Sequence, residues 1–273
     1  MSERAECIIF ANQKGGTGKT SSCLAIAGHL VQKGYKVLAV DIDPQANLTL
    51  GLGFSKSMVE KTMYDAILNH CNGYEGVSIK EVVIETKLEN FHLAPAESDL
   101  CVAEILVQDA QDRTGVIKQV LEDVISLYDY ILIDPPPHLG LLMLNGLRAS
   151  DQVVVPVDAG IFSLVSLENF QNYCDEMKEM TGHAIEKKTV VMTRYARPGF
   201  ISKLMRKTCP PQEMKEMLGK MYEHVFFVPE STEIYDAHKE CLPISHFAPN
   251  SKISNTYRRI TEHIVSLDKI IQL

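Results

Sequence analysis

The string Lys14-Gly15-Gly16-Thr17-Gly18-Lys19-Thr20 limits what this chain can fold into more than any other feature. It follows the apolar run Cys7–Ala11 and opens a helical pattern over Lys19–Gln32. A phosphate cradle needs this layout of strand, glycine loop and helix. Glycines let the backbone approach phosphates and aim successive N–H groups at them, and the helix N-terminus adds favourable partial charge. In this scheme Lys19 reaches the β- and γ-phosphates and the Thr20 hydroxyl ligates Mg²⁺. Gly15, Gly16, Thr17, Gly18 and Ser21 complete the expected nucleotide contacts. The expected ligands are ATP and Mg²⁺.

The rest of the chain carries the same strand-helix alternation. Further apolar runs cover Lys36–Asp41, Phe91–Ala94, Tyr130–Asp134, Gln152–Val157, Lys188–Thr193 and His224–Val228. They are continuously apolar, as strands covered on both faces should be. Helical patterns fill Gly115–Ser126, Leu164–Met180, Gln212–Tyr222 and Ser254–Ile271, the last with Ile260, Ile264, Leu267 and Ile271 on one face. The pattern predicts an α/β fold, a doubly wound and mostly parallel sheet with helices on both faces. It never resets, so one domain over 1–273 is expected. Ligands of such sheets bind at the carboxyl ends of the strands.

Two strand ends carry acids. Val40-Asp41-Ile42-Asp43-Pro44 places two aspartates two residues apart, which on a strand face one side. One is expected to hold Mg²⁺ and the other to orient the attacking water. The run Tyr130–Ile133 ends in Asp134 and is stopped by Pro135 and Pro136, a Walker B layout that puts Asp134 in the metal's water shell.

One lysine exceeds what the loop requires. Gln13 stands where the first glycine of G-x-x-x-x-G-K-[ST] would be, and Lys14 follows it. With Lys14, the loop resembles the deviant Walker A ATPases, which carry K-G-G-x-[GA]-K-[ST]. The string Asp41–Asn47 is similar to the D-x-D-P-Q-x-N motif of ParA partition ATPases within that group. Asp134-Pro135-Pro136 is similar to their D-[AT]-P-P motif, with Pro135 and His138 as departures. Asn12-Gln13, Ala94-Pro95-Ala96, Leu144-Asn145, Val153–Val157 and Tyr257–Ile260 extend the likeness over nearly the whole chain.

The resemblance implies an ATP hydrolase in which Lys14 reaches across a homodimer to the other subunit's phosphates. It also implies that Asp43 positions the water and that Asp41 lies beside the metal. Thr193–Tyr195 and Val228–Glu230 look like the turns of Min-type ATPases that flank the adenine, which places Arg194, Pro229 and Glu230 around the base. No arginine finger is evident, so slow basal turnover and an activating, ParB-like partner protein are expected.

Nucleic-acid binding stays in doubt. The formal net charge is −8, so DNA would have to meet a local basic patch against the global field. Where chromosome-binding ParA proteins carry arginines after the proline, this chain reads Pro229-Glu230-Ser231-Thr232-Glu233. Lys203, Arg206 and Lys207 offer a substitute patch.

Three rivals share the loop. An iron-protein reductase needs a bridging cysteine soon after Asp134, whereas the next is Cys174. A Min-type membrane switch needs a basic C-terminal amphipathic helix, and Ser266–Leu273 holds one lysine and one aspartate. A metallocentre-maturation ATPase would expose a cysteine pair, and the seven cysteines are widely spaced. No apolar run is long enough to span a bilayer and the N-terminus is polar, so a membrane partner is not expected and the cytoplasm is.

Overall fold

The apolar runs become strands of one sheet. In the computed structural model, residues 4–158, 163–195, 216–220 and 222–270 are described. The strands are β1 (Glu6–Phe10), β2 (Val37–Asp41), β3 (Ile84–Glu85), β4 (Phe91–Ala94), β5 (Tyr130–Asp134), β6 (Gln152–Val157), β7 (Lys187–Tyr195) and β8 (Val225–Pro229). Their order is β3-β4-β2-β5-β1-β6-β7-β8. Only the β3–β4 pair is antiparallel. The expected mostly parallel sheet is therefore present, and each expected strand lies within two residues of an observed one. The edge strand β3 was not expected. It is two partly exposed residues long and leaves no apolar run to read.

Helices cover both faces. They are α1 (Lys19–Gln32), α2 (Asn47–Gly51), α3 (Met63–Leu68), α4 (Ile79–Val82), α5 (Leu100–Leu106), α6 (Val116–Glu122), α7 (Leu141–Arg148), α8 (Ser163–Thr181), α9 (Glu233–Lys239), α10 (Ile244–Phe247) and α11 (Lys252–Ile270). Strand β1 shows why its run had to be continuous: Cys7 and Ile9 enter the core with Met63, Leu100, Ile117, Leu142 and Phe170, while Ile8 and Phe10 enter the core with Leu24, Ile26, Tyr257 and Ile260. Alternate side chains of a strand point to opposite faces, so a strand buried on both sides must be apolar throughout.

Helix α1 matches its expected bounds, and α11 runs from Lys252 rather than Ser254. On α11, Ile260 and Ile264 are fully buried, Leu267 is half-buried, and Ile271 lies outside the described residues. Of the helix expected over Gln212–Tyr222, residues 216–220 are helical, while 212–215 and 221 lie outside the described residues. The segment with Lys203, Arg206 and Lys207 also lies outside them. Among the described residues, no helix is long and apolar enough to cross a membrane.

The topology gathers the polar signals. Strand β1 is flanked by β5 and β6, and β5 by β2. The loop after β1 therefore faces the ends of β2 and β5, where Asp41 and Asp134 are register partners.

Candidate nucleotide site

The loop is clamped from both sides. Asn12, buried at the end of β1, donates from Nδ2 to the Pro156 carbonyl (2.7 Å). Its Oδ1 accepts from the Lys14 N–H (3.0 Å) and the Ser166 hydroxyl (2.8 Å). On the other side, the Thr193 hydroxyl donates to the Thr17 carbonyl (2.8 Å) and Arg194 Nη2 to the Gly16 carbonyl (2.6 Å). With carbonyls tied outward, the loop N–H groups are left for an anion. Gly18 has φ 89° as the N-cap of α1, and a β-carbon there would lie 3.3 Å from Thr193 Cγ2. No side chain caps α1, so its first N–H groups remain available.

Charges converge where the loop meets α1. Lys19 is almost fully buried, its Nζ 3.4 Å from the Asn12 carbonyl. Burial lowers its pKa, while Asp134 and Asp43 oppose that shift. The Thr20 hydroxyl donates to Asp134 Oδ2 at 2.7 Å, and Asp134 Oδ1 is buried with no hydrogen-bond partner. Burial, reinforced by the nearby Asp41 charge, raises the Asp134 carboxyl well above the ordinary range. A buried carboxylate oxygen without a donor is costly. An orphaned oxygen next to a threonine hydroxyl therefore fits the ligand set expected for Mg²⁺.

The two aspartates at the end of β2 differ in setting. Asp43 lines the cleft in front of the loop, its Oδ1 accepting from the Gln45 N–H (2.9 Å). Asp41 is completely enclosed. Its Oδ1 accepts from the Asp43 N–H (3.1 Å), and its Oδ2 from the Thr49 N–H (2.9 Å) and hydroxyl (2.7 Å). Burial pushes its pKa up to about 7. Two-residue alternation applies only within a strand, and β2 ends at Asp41. Beyond it the chain turns, and Asp41 organises that turn rather than facing the cleft.

Two clefts meet over the loop. One, of about 400 Å³, is bounded by Gly15, Lys19, Thr20, Asp43, Asn47 and Pro137 among others. The second, of about 300 Å³, holds Thr193, Arg194, Val228, Pro229, Tyr235 and Tyr257 among its walls. Arg194 and Pro229 therefore border a partly apolar cleft next to the phosphate loop. Glu230 is exposed and lines neither cleft. It is the first residue after β8, and the next cleft-lining residue is Ser231.

Sequence reasoning missed Ser231, Tyr235, His238 and Tyr257 on the second cleft. Tyr235 and His238 were legible only as a helical face after Pro229. It also missed Asp158, although an acid just past the apolar run of β6 repeats the signal of Asp41 and Asp134. Asp158 binds Lys14 Nζ through both oxygens, at 2.9 and 2.7 Å, and lies 3.8 Å from Arg194 Nη2. Lys14 lines neither cleft of its own chain. His138 is exposed and pairs with Glu104 (3.2 Å). Of the cysteines, Cys7, Cys23, Cys71 and Cys174 are buried, Cys241 is half-buried and Cys101 is exposed; Cys209 lies outside the described residues.

A family model described as an AAA domain matches residues 5–187. The chain is 30% identical over 263 residues to the chromosome-partitioning ATPase Soj of Treponema pallidum (strain Nichols), spanning 96% of this chain and 97% of that one. This chain belongs to the ParA-type partition ATPases. A second ParA-type relative, the sporulation initiation inhibitor protein Soj of Bacillus subtilis (strain 168), is 32% identical over 261 residues, covering 95% and 98% of the two chains. The ParA-type fold is likewise shared with a Cyanothece McdA–ATP complex, at a TM-score of 0.82 and 20% identity over 97% of this chain and 98% of that one.

Proposed function

We propose that this ParA-type ATPase is an ATP-dependent dimerisation switch that partitions or positions a cargo, with hydrolysis accelerated by a partner protein. The observation that carries the reading is Lys14. It is the second cation of the loop, yet it turns away from its own phosphate cleft and is held by Asp158. A lysine on the outer side of the loop supports a role at a neighbouring subunit's phosphates.

In this reading, Lys19 and the N–H groups of Gly15–Ser21 hold the triphosphate, and Arg194 and Pro229 flank the base. Thr20 and Asp134 are the residues that fit Mg²⁺, while Asp41 holds the Asp43–Thr49 turn in place. Mg²⁺ held by Thr20 and Asp134 would offset the charge of the phosphates. Asp43, at the mouth of the cleft, orients water for in-line attack on the γ-phosphate. Lys19, together with Lys14 from the second subunit, stabilises the charge that develops. Turnover without an activator is slow because the chain positions the water but, among the described residues, no further cation lines the phosphate cleft. The sheet runs unbroken from β3 to β8, which supports one ATPase domain over 1–273.

Size-exclusion chromatography with ATP and with ADP tests the switch. Wild type should elute as a dimer with ATP and a monomer with ADP, and Lys14→Gln as a monomer with both. ATP-dependent dimerisation undiminished in Lys14→Gln would overturn the cross-subunit role.

A further inference from the structure

The phosphate cleft and the base-side cleft share four lining residues: Gly16, Gly18, Ser21 and His238. Three of them belong to the loop and the first turn of α1. The fourth comes from the opposite wall, on α9. Ser231, Ile234, Tyr235 and His238 all border the base-side cleft. Ile234 and Tyr235 stand four and three residues before His238, which puts these three on one face of α9. The back of α9 is anchored by Ala237, which is completely buried. His238 is the last residue of that face and the only one that also borders the phosphate cleft.

We propose that His238 is a nucleotide-contacting residue whose imidazole hydrogen-bonds the sugar–α-phosphate segment of the bound nucleotide. The inference rests on the ATP reading above and adds a residue that the loop motifs do not contain. A nucleotide with its base in one cleft and its β- and γ-phosphates in the other must cross the seam between them. Only the sugar and α-phosphate are there to cross it. Ser21 faces that seam from the α1 side, and His238 faces it from the other.

The imidazole is chemically free for this contact. Among the described residues it has no hydrogen-bond or ion-pair partner. Burial holds its pKa below the ordinary value, so it meets the nucleotide neutral, with one N–H donor and one lone-pair acceptor. The charged groups around the seam are Lys19 and Asp43 on the phosphate side and Arg194 on the base side.

Calorimetric titration of full-length protein with ADP and with AMPPNP, both with Mg²⁺, tests the assignment. The contacted segment is common to both ligands. His238→Ala should therefore raise both dissociation constants by the same factor, roughly five- to fiftyfold, as expected for one lost hydrogen bond to a charged or polar group. Unchanged affinity for both would overturn the proposal, as would a loss confined to AMPPNP, which would put His238 at the γ-phosphate. If His238→Ala does not fold, His238→Phe keeps a ring while removing its hydrogen-bonding atoms, and the same outcomes apply. Failure of the wild-type protein to bind either ligand would instead overturn the ATP reading itself.

Discussion

In the proposed switch Asp43 and Lys14 carry opposite halves, and substitution separates them. Asp43→Ala removes the group proposed to orient water while leaving Lys19, Thr20 and the loop intact. It should bind ATP at near wild-type affinity and hydrolyse it at least about 100-fold more slowly, the lower end for a lost general-base function. Single-turnover hydrolysis checks this; a wild-type rate would assign the water to another residue. Asp158→Asn addresses the other half. The Lys14–Asp158 pair is partly open to solvent, with side chains 36% and 18% exposed, so it contributes no more than about 1 kcal/mol. Releasing Lys14 should therefore strengthen the ATP-dependent dimer by up to roughly fivefold per subunit, readable by analytical ultracentrifugation. A dimer weakened by Asp158→Asn would show that Asp158 aids Lys14 instead of withholding it.

At the scale of elements, α1 links the loop to the molecule's back. Its Gly28 lies where α1 meets α10: a β-carbon there would sit 2.2 Å from Ser245 Oγ and 2.5 Å from Pro243 Cβ. Gly28→Ala should force the helices apart and cost about 1–3 kcal/mol, the usual range for overpacking. Thermal melting gives the loss. Because α1 begins at Lys19, its displacement should weaken ATP binding as well, and a variant with unchanged melting would show that α10 yields freely. The major elements were readable because each repeats its pattern several times: α1 over fourteen residues, or β6 as six consecutive buried ones. Helices α2, α4 and α10, of five, four and four residues, repeat nothing and left no periodic signal.

Across the whole molecule, burial sets how stability responds to acid. His29, His92, His238, His246 and His263 all have pKa values lowered from 6.5, with desolvation the largest cause in each. The unfolded chain therefore takes up protons at these sites before the native one does. Their contribution is intact above about pH 6.5 and is lost as pH falls from there toward the lowered native values. Asp41 and Asp134 act in the opposite sense, since their native pKa values are raised and the folded state keeps those protons longer. A single melting curve against pH mixes both trends, so the informative quantity is a difference. His29 is buried between α1 and α11, with Nε2 3.3 Å from the Ser254 hydroxyl. His29→Gln should lose less Tm than wild type between about pH 7.5 and 5.5. Equal losses would mean that His29 does not titrate differently on folding.

Local pattern by itself determined the phosphate loop, seven of the eight strands, the α/β class and the likeness to ParA-type ATPases. These depend on residues adjacent in sequence or on short periods, and folding preserves both. Tertiary structure alone decided which groups line the two clefts. It turned Asp41 into the turn beyond β2 while leaving Asp43 at the cleft, because strand geometry stops where the strand does. It joined Lys14 to Asp158 and set Ser21 opposite His238. Those pairs lie far apart in sequence and meet only because parallel strands bring their carboxyl ends to one edge of the sheet.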